Sequence, residues 1–261
     1  MARRFIVEAD GFDVHHNQAI EEFLLRQLSA GDCGLYLWRN VRTVVCGRNQ
    51  DVRKECRVEV LRADGGKAAK RLSGGGAVYH DLGNLNFSFF ADEHEYDVAR
   101  QLGIVVTALS AFGIRAEKTG RNDLVVDGRK FSGNAFLKQG FRRLHHGTIM
   151  LEVDKAALAK YLTPAPIKLA RNGVASVVSR TINLKSIAPA LTVEALIGEL
   201  KRVYAKEYGA MEREEWTQEE REEIAGYERR FASDEWLFSI PGQGTSDDGI
   251  EEIFIEEWRN A

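Results

Sequence analysis

The segment Leu124-Val125-Val126-Asp127-Gly128-Arg129-Lys130-Phe131 constrains the fold more than any other stretch of this chain. Asp-Gly between two runs of β-favouring residues predicts a two-residue hairpin turn, because both central positions of that turn need positive φ. Its second arm extends over residues 129–137, and residues 144–153 read as a further strand. Antiparallel neighbours follow. Residues 5–8, 35–38, 43–46, 78–80 and 85–90 are compact apolar runs expected as strands, with 80–84 as a turn. Ala19, Ile20, Phe23, Leu24 and Leu28 recur at helical spacing before Gly31, as do Val98, Leu102, Val105, Val106, Leu109 and Phe112 before Gly113. Helices are then expected over 155–161, 193–208 and 217–231. Strands and helices mix without strict βαβ alternation. The fold class is therefore α+β, with a mixed, largely antiparallel sheet and flanking helices.

A length of 261 residues allows one large domain, or one plus a small one. The globular body is expected to end near Phe238, and residues 241–249 have linker composition. This divides the chain into a domain at 1–240 and a linker-like tail at 241–261. Hydrophobic residues make up 44%, too many for a disordered chain. The net charge of -3 leaves no overall basic field, which argues against a nucleic-acid partner. Cys33, Cys46 and Cys56 are odd in number and unpaired in spacing. That suits a reducing compartment rather than a disulfide framework or a cysteine zinc site. No apolar run approaches the roughly 20 residues of a membrane span, and no signal-peptide pattern opens the chain. The expected location is the cytoplasm.

Lys70-Arg71-Leu72-Ser73-Gly74-Gly75-Gly76-Ala77-Val78-Tyr79 is the richest segment chemically. Three successive glycines are costly in a regular element and are tolerated where backbone turns tightly or lies against a ligand. Free backbone N–H groups bind anions, and Arg71 adds a fork of donors suited to phosphate or carboxylate. The pattern is neither a Walker A loop nor a Rossmann fingerprint. The alternative is a surface turn flanked by two solvated cations.

Lys130 lies two residues past the hairpin glycine. Alternation on a strand sends Phe131 to the core and Lys130 to the opposite side. The small residues Ser132-Gly133-Asn134-Ala135 leave room there, and Asn122 and Asp123 precede the hairpin. Taken alone, Lys130 reads as an ordinary surface lysine, and only the company of Asn122, Asp123 and Gly133 raises the functional reading. His145 and His146 are adjacent and should diverge on a strand, which disfavours a shared metal. Trp38 ends an apolar strand and reads as core. His15-His16 reads as a solvated helix entry, and residues 212–223 as a solvated acidic helix face.

Together these segments resemble the lipoate–protein ligase family, related in fold to biotin–protein ligases and octanoyltransferases. The resemblance runs from about Phe5 to Phe238. It is carried by Leu37-Trp38-Arg39-Asn40, Thr43-Val44-Val45-Cys46-Gly47-Arg48-Asn49-Gln50, Arg71 through Asn84, Gly120-Arg121-Asn122-Asp123, Arg129-Lys130-Phe131-Ser132-Gly133, His145-His146-Gly147-Thr148, Tyr161-Leu162-Thr163-Pro164 and Ser176 through Leu184. The family implies an ATP- and Mg²⁺-dependent reaction on lipoate. The carboxylate is activated to lipoyl-AMP, and a lysine of an acceptor lipoyl domain takes the acyl group. By this resemblance Lys130 is the catalytic residue. Arg71, Ser73, Gly74, Gly75, Gly76, Ala77, Val78, Tyr79, Asn122, Asp123 and Lys130 bind ATP and the adenylate, with Asp123 an outer partner for Mg²⁺. Trp38, Arg71, Gly76 and His146 line the lipoate pocket, which reverses the core reading of Trp38.

The implied acceptors are lipoyl domains of 2-oxoacid dehydrogenase E2 subunits or the glycine-cleavage H protein, with no membrane partner. Longer family members carry a small C-terminal domain, which the sequence does not match. This chain is then the large subunit of a two-piece ligase, with the accessory part a separate protein, or it works alone. The rival is a lipoyl or octanoyl transferase acting on a preformed acyl donor through a cysteine thioester. A non-catalytic lipoyl-domain binder is the third reading.

Overall fold

The computed structural model describes residues 2–119, 123–163, 181–213, 215–240 and 250–251. In chain order its first elements are β1 (Arg4–Glu8), α1 (Val14–Arg26), β2 (Cys33–Trp38), β3 (Thr43–Cys46), α2 (Val52–Glu55), α3 (Val58–Ala63), β4 (Lys67–Lys70), β5 (Val78–His80) and β6 (Asn84–Asp92). Next come α4 (Val98–Ser110), β7 (Glu117–Thr119), β8 (Asp123–Val126), β9 (Arg129–Gln139), β10 (Arg142–Met150) and α5 (Lys155–Tyr161). The C-terminal part holds α6 (Val193–Tyr208), β11 (Met211–Glu212), α7 (Gln218–Phe231), α8 (Asp234–Phe238) and β12 (Ile250–Glu251).

A large sheet runs in the order β11-β1-β2-β6-β10-β9-β8-β7, with β12 added on β9. Pairing from β2 through β7 is antiparallel, while β1 is parallel to both neighbours. A small sheet, β4-β3-β5, has one parallel and one antiparallel pair. The largely antiparallel α+β architecture is the expected one. The hairpin turn has φ of 49° at Asp127 and 70° at Gly128, as its sequence demands.

Alternate residues of the large sheet face two different layers. Leu35, Leu37, Phe87, Phe89, Leu124, Phe131 and Ile149 pack with Leu102, Val105 and Leu109 of α4 and Leu196, Leu200 and Tyr204 of α6. On the opposite face Tyr36, Trp38, Phe90 and Leu144 meet Ile20, Phe23 and Leu24 of α1, with Ile224 and Phe231 of α7 beyond. Burial on both faces explains why β2 reads as an unbroken apolar run, whereas β6 buries the polar Asn86 and Ser88 among its aromatic residues. The small sheet has its own core, where Val44, Cys46 and Tyr79 pack with Leu61, Tyr161 and Leu237.

Strand β4, Lys-Ala-Ala-Lys, was not anticipated, because its residues have no β preference. Tertiary contacts decide it. Ala69 and Lys70 are buried, the Lys70 ammonium donates to the carbonyls of Gln50 and Ser239, and Trp236 Nε1 donates to the Lys70 carbonyl at 2.8 Å. His16 is also not simply solvated, since its Nδ1 lies 2.7 Å from Glu228 Oε2. Most of the expected tail at 241–261 lies outside the described residues. Within it, β12 pairs antiparallel with Lys138 and Gln139 of β9. None of the described helices is long and apolar enough to cross a membrane.

Candidate active site

The glycine loop leaves β4 and enters β5. Its first turn is tied to β3 and the residues after it: Arg71 N donates to the Cys46 carbonyl at 3.0 Å and Arg48 N to the Ser73 carbonyl at 2.9 Å. Arg71 is buried, and its guanidinium works as a loop clamp. Nε donates to Ser73 Oγ at 3.1 Å and Nη2 to the Gly74 carbonyl at 2.5 Å. Gly75 has φ of +91°, a conformation that side chains disfavour. A Cβ on Gly47 would lie 2.1 Å from the Gly75 carbonyl oxygen, so the two backbone segments touch only because residue 47 is glycine. Gly76 is different: a Cβ there would meet no described atom within 4 Å. Protein packing does not require that glycine, whereas close approach of a ligand would. Tyr79 turns its ring into the small-sheet core, 5.7 Å from the Tyr161 ring, so only its backbone faces the loop side.

From the loop a buried chain of hydrogen bonds crosses to the large sheet. Ser73 Oγ and His146 Nε2 are 2.6 Å apart, and His146 Nδ1 lies 2.9 Å from Glu21 Oε1. Ser88 Oγ donates to the same Glu21 oxygen at 2.5 Å, and Trp38 Nε1 donates to Ser88 Oγ at 3.0 Å. Glu21 is only 2% exposed. A buried carboxyl group needs hydrogen-bond partners, and Ser88 and His146 supply them. The chain thus joins Trp38 and His146 on the sheet to Arg71 and Ser73 in the loop, four residues predicted from sequence. Glu21 and Ser88 were missed. Only the depth of α1, buried between the sheet and α7, reveals Glu21 as internal.

His145 and His146 diverge as expected. His145 enters the core, its ring 4.6 Å from that of Phe136, and burial, reinforced by His146, drives its pKa well below the ordinary histidine value. All three cysteines are buried. Burial pushes the Cys46 thiol up to about 12 and the Cys56 thiol up to about 11, and it also raises Cys33. None has the lowered pKa of a reactive thiol.

Lys130 is the second residue of β9, its neighbour Phe131 fully in the core. The ammonium lies 2.6 Å from Asp123 Oδ1, with the two side chains 40% and 36% exposed. It folds back over Gly133, where a Cβ would lie 3.0 Å from Nζ. Ala135, two residues on, pairs with His146 of β10. The ammonium is therefore about 7 Å along the strand from the position facing His146. Asn122 lies outside the described residues, as do Gly120, Arg121 and residues 164–180. No group of three or more His, Cys, Asp or Glu among the described residues is arranged to hold a metal ion.

The catalytic-domain model for lipoyl protein ligases A and B matches residues 13–205. Among solved structures, P. falciparum LipL1 in complex with lipoate is 30% identical, with a TM-score of 0.76, covering 93% of this chain and 75% of that one. A bi-partite lipoate protein ligase from Thermoplasma acidophilum, studied with its E2 lipoyl domain, is 24% identical with a TM-score of 0.80, covering 94% and 99% of the two chains. Lipoate-protein ligase A bound with ATP is 23% identical with a TM-score of 0.76, covering 91% and 99%. These last two share the fold. The chain belongs to the lipoyl protein ligase A/B catalytic-domain family and is an enzyme of the lipoate–protein ligase class.

Proposed function

We propose that this protein joins lipoate to a lysine of an acceptor lipoyl domain in two steps driven by ATP, with residues 1–240 forming the catalytic unit. The observation that carries this reading is the placement of one ammonium, Lys130, over Gly133 on the strand beside His146, with Asp123 holding it. First a lipoate carboxylate oxygen attacks the α-phosphorus of ATP, and pyrophosphate leaves. The acceptor amine then attacks the acyl carbon of lipoyl-AMP, AMP leaves, and the amine gives up a proton. Negative charge grows on the oxygens of the acyl phosphate in both steps, and a fixed ammonium stabilises it.

The glycine loop offers its backbone N–H groups to phosphate oxygens, and Arg71 holds the loop in shape from within. Trp38 and His146, fixed through Ser88 and Glu21, wall the acid's slot. Burying four methylenes of the acid there is worth about 3 kcal/mol. Mg²⁺ would enter as the nucleotide's counter-ion, held mainly by phosphate and water, with Asp123 as an outer partner. An E2-type lipoyl domain is the acceptor class this reading favours, as for the Thermoplasma ligase. The buried thiols with raised pKa weigh against the thioester-transfer alternative.

The test is mass spectrometry of a lipoyl domain incubated with the protein, lipoate, Mg²⁺ and ATP. A lipoyl mass gain that requires ATP is expected. A gain independent of ATP would favour transfer from a preformed donor, and no gain even with an accessory subunit supplied would contradict ligation.

A further inference from the structure

Two buried hydrogen-bond donors beside Trp38 have no acceptor within the described protein. The first is on His80. The Tyr36 hydroxyl donates to Asn17 Oδ1 at 3.1 Å, and Asn17 Nδ2 donates to Asn40 Oδ1 at 3.0 Å. Asn40 Nδ2 then faces His80 Nδ1 at 3.1 Å. With its oxygen engaged, Asn40 presents its nitrogen, so His80 Nδ1 accepts and the ring proton sits on Nε2. Burial, with the charges of Arg71 and His146, pushes the His80 pKa down to about 3, and the ring is neutral. His80 is 3% exposed and its Nε2 has no partner among the described residues.

The second donor is on Asn86. Asn84 Nδ2 donates to Asn86 Oδ1 at 2.9 Å, which leaves the Asn86 nitrogen with two N–H groups. That nitrogen is buried and also without an acceptor among the described residues. Asn86 is the cross-strand partner of Trp38, and the His80 ring meets the Trp38 ring edge-on at 6.3 Å. Trp38 cannot serve either donor, since an indole N–H only donates, here to Ser88. On the other side Asn86 pairs with Thr148, whose Oγ1 accepts from Gly133 N at 3.3 Å. Asn86, Thr148 and Gly133 thus form a row across three strands that ends under the Lys130 ammonium.

Buried donors are satisfied in folded proteins as a rule, so two orphans on one indole mark the place of an acceptor brought from outside. Resting on the acid-activating reading above, we propose that His80 Nε2 and the Asn86 amide hold the carboxyl end of the bound acid. The two carboxyl oxygens are the only strong acceptors that lipoate carries. One of them persists as the acyl oxygen of the adenylate, so the same donors hold the acyl group through activation.

Calorimetric titration of the full chain with lipoate alone, and separately with ATP alone, tests this. His80→Asn keeps an acceptor for Asn40 and removes the Nε2 donor, His80→Gln keeps a donor near the Nε2 position, and Asn86→Leu removes the amide. His80→Asn and Asn86→Leu should each raise the lipoate Kd roughly tenfold to hundredfold. ATP affinity should hold, and His80→Gln should stay within about threefold of wild type. The ligand-free melting temperature should hold or rise, because the lost donors served no protein acceptor. Wild-type lipoate affinity in both donor-removing variants overturns the inference and assigns the donors to ordered water. A selective loss of ATP affinity overturns it in favour of a nucleotide contact. A wild-type chain that binds no lipoate overturns the acid-activating reading, and this inference with it.

Discussion

Asp123 Oδ1 holds the Lys130 ammonium at 2.6 Å, reaching it from the neighbouring strand at the residue paired with Gly133. Both side chains are more than a third exposed, so the pair contributes about 0–1 kcal/mol to stability. Its worth is positional. Asp123→Asn should leave the melting temperature within about two degrees of wild type while turnover falls roughly tenfold, because the ammonium loses its anchor. Steady-state lipoylation kinetics and a thermal melt check this together. Equal losses in stability and turnover would make the carboxylate structural instead.

Gly47 makes the opposite kind of contribution. Its missing Cβ admits the Gly75 carbonyl oxygen, and the obstructing atoms are backbone rather than a movable side-chain tip. Gly47→Ala must push the glycine loop outward by about 1 Å, which should reduce ATP binding and turnover roughly a hundredfold. Stability should fall by only about 1–3 kcal/mol. Nucleotide titration and denaturant unfolding give the two readouts, and unchanged ATP affinity would dissociate the loop from the nucleotide.

The segments readable in advance are those whose cause is local. Asp127-Gly128 demands its own turn, and the stripes of α4 and α6 need only their own spacing. Lys130 and Arg71 stood out because glycines surround them, although Arg71 proves to clamp the loop from inside. What was hidden depends on residues far apart in the chain. The reason for glycine at 47 is the carbonyl of residue 75, and the partner of His146 is a helix residue 125 positions away. Glu21 carried no signal in the sequence, and it is internal because α1 lies against the sheet, where Ser88 and His146 meet its carboxyl group. His80 appeared as a turn residue between strands, with nothing in its neighbours to announce a buried ring.

His80 and His145 also set an acid limit. In the native protein burial holds His80 down to about 3 and His145 well below its usual 6.5, while the unfolded chain titrates both near 6.5. For His80 between about pH 3 and 6.5, and for His145 below 6.5, the unfolded state therefore binds a proton that the native state refuses. Stability is present above about 6.5 and is lost as the pH falls, by up to about 1.4 kcal/mol per pH unit for each histidine. Denaturant unfolding at several pH values should show proton uptake below about pH 6.5, and His145→Gln should reduce that uptake. An unchanged slope in the variant would mean that His145 is protonated in the fold.

The role of Lys130 is tested most directly by single-turnover transfer from preformed lipoyl-adenylate to a lipoyl domain. This bypasses activation and any accessory protein it needs. The wild-type chain should transfer the lipoyl group, and Lys130→Ala should slow that step about a hundredfold or more with binding of the adenylate largely retained. Transfer by Lys130→Ala at the wild-type rate would contradict the account.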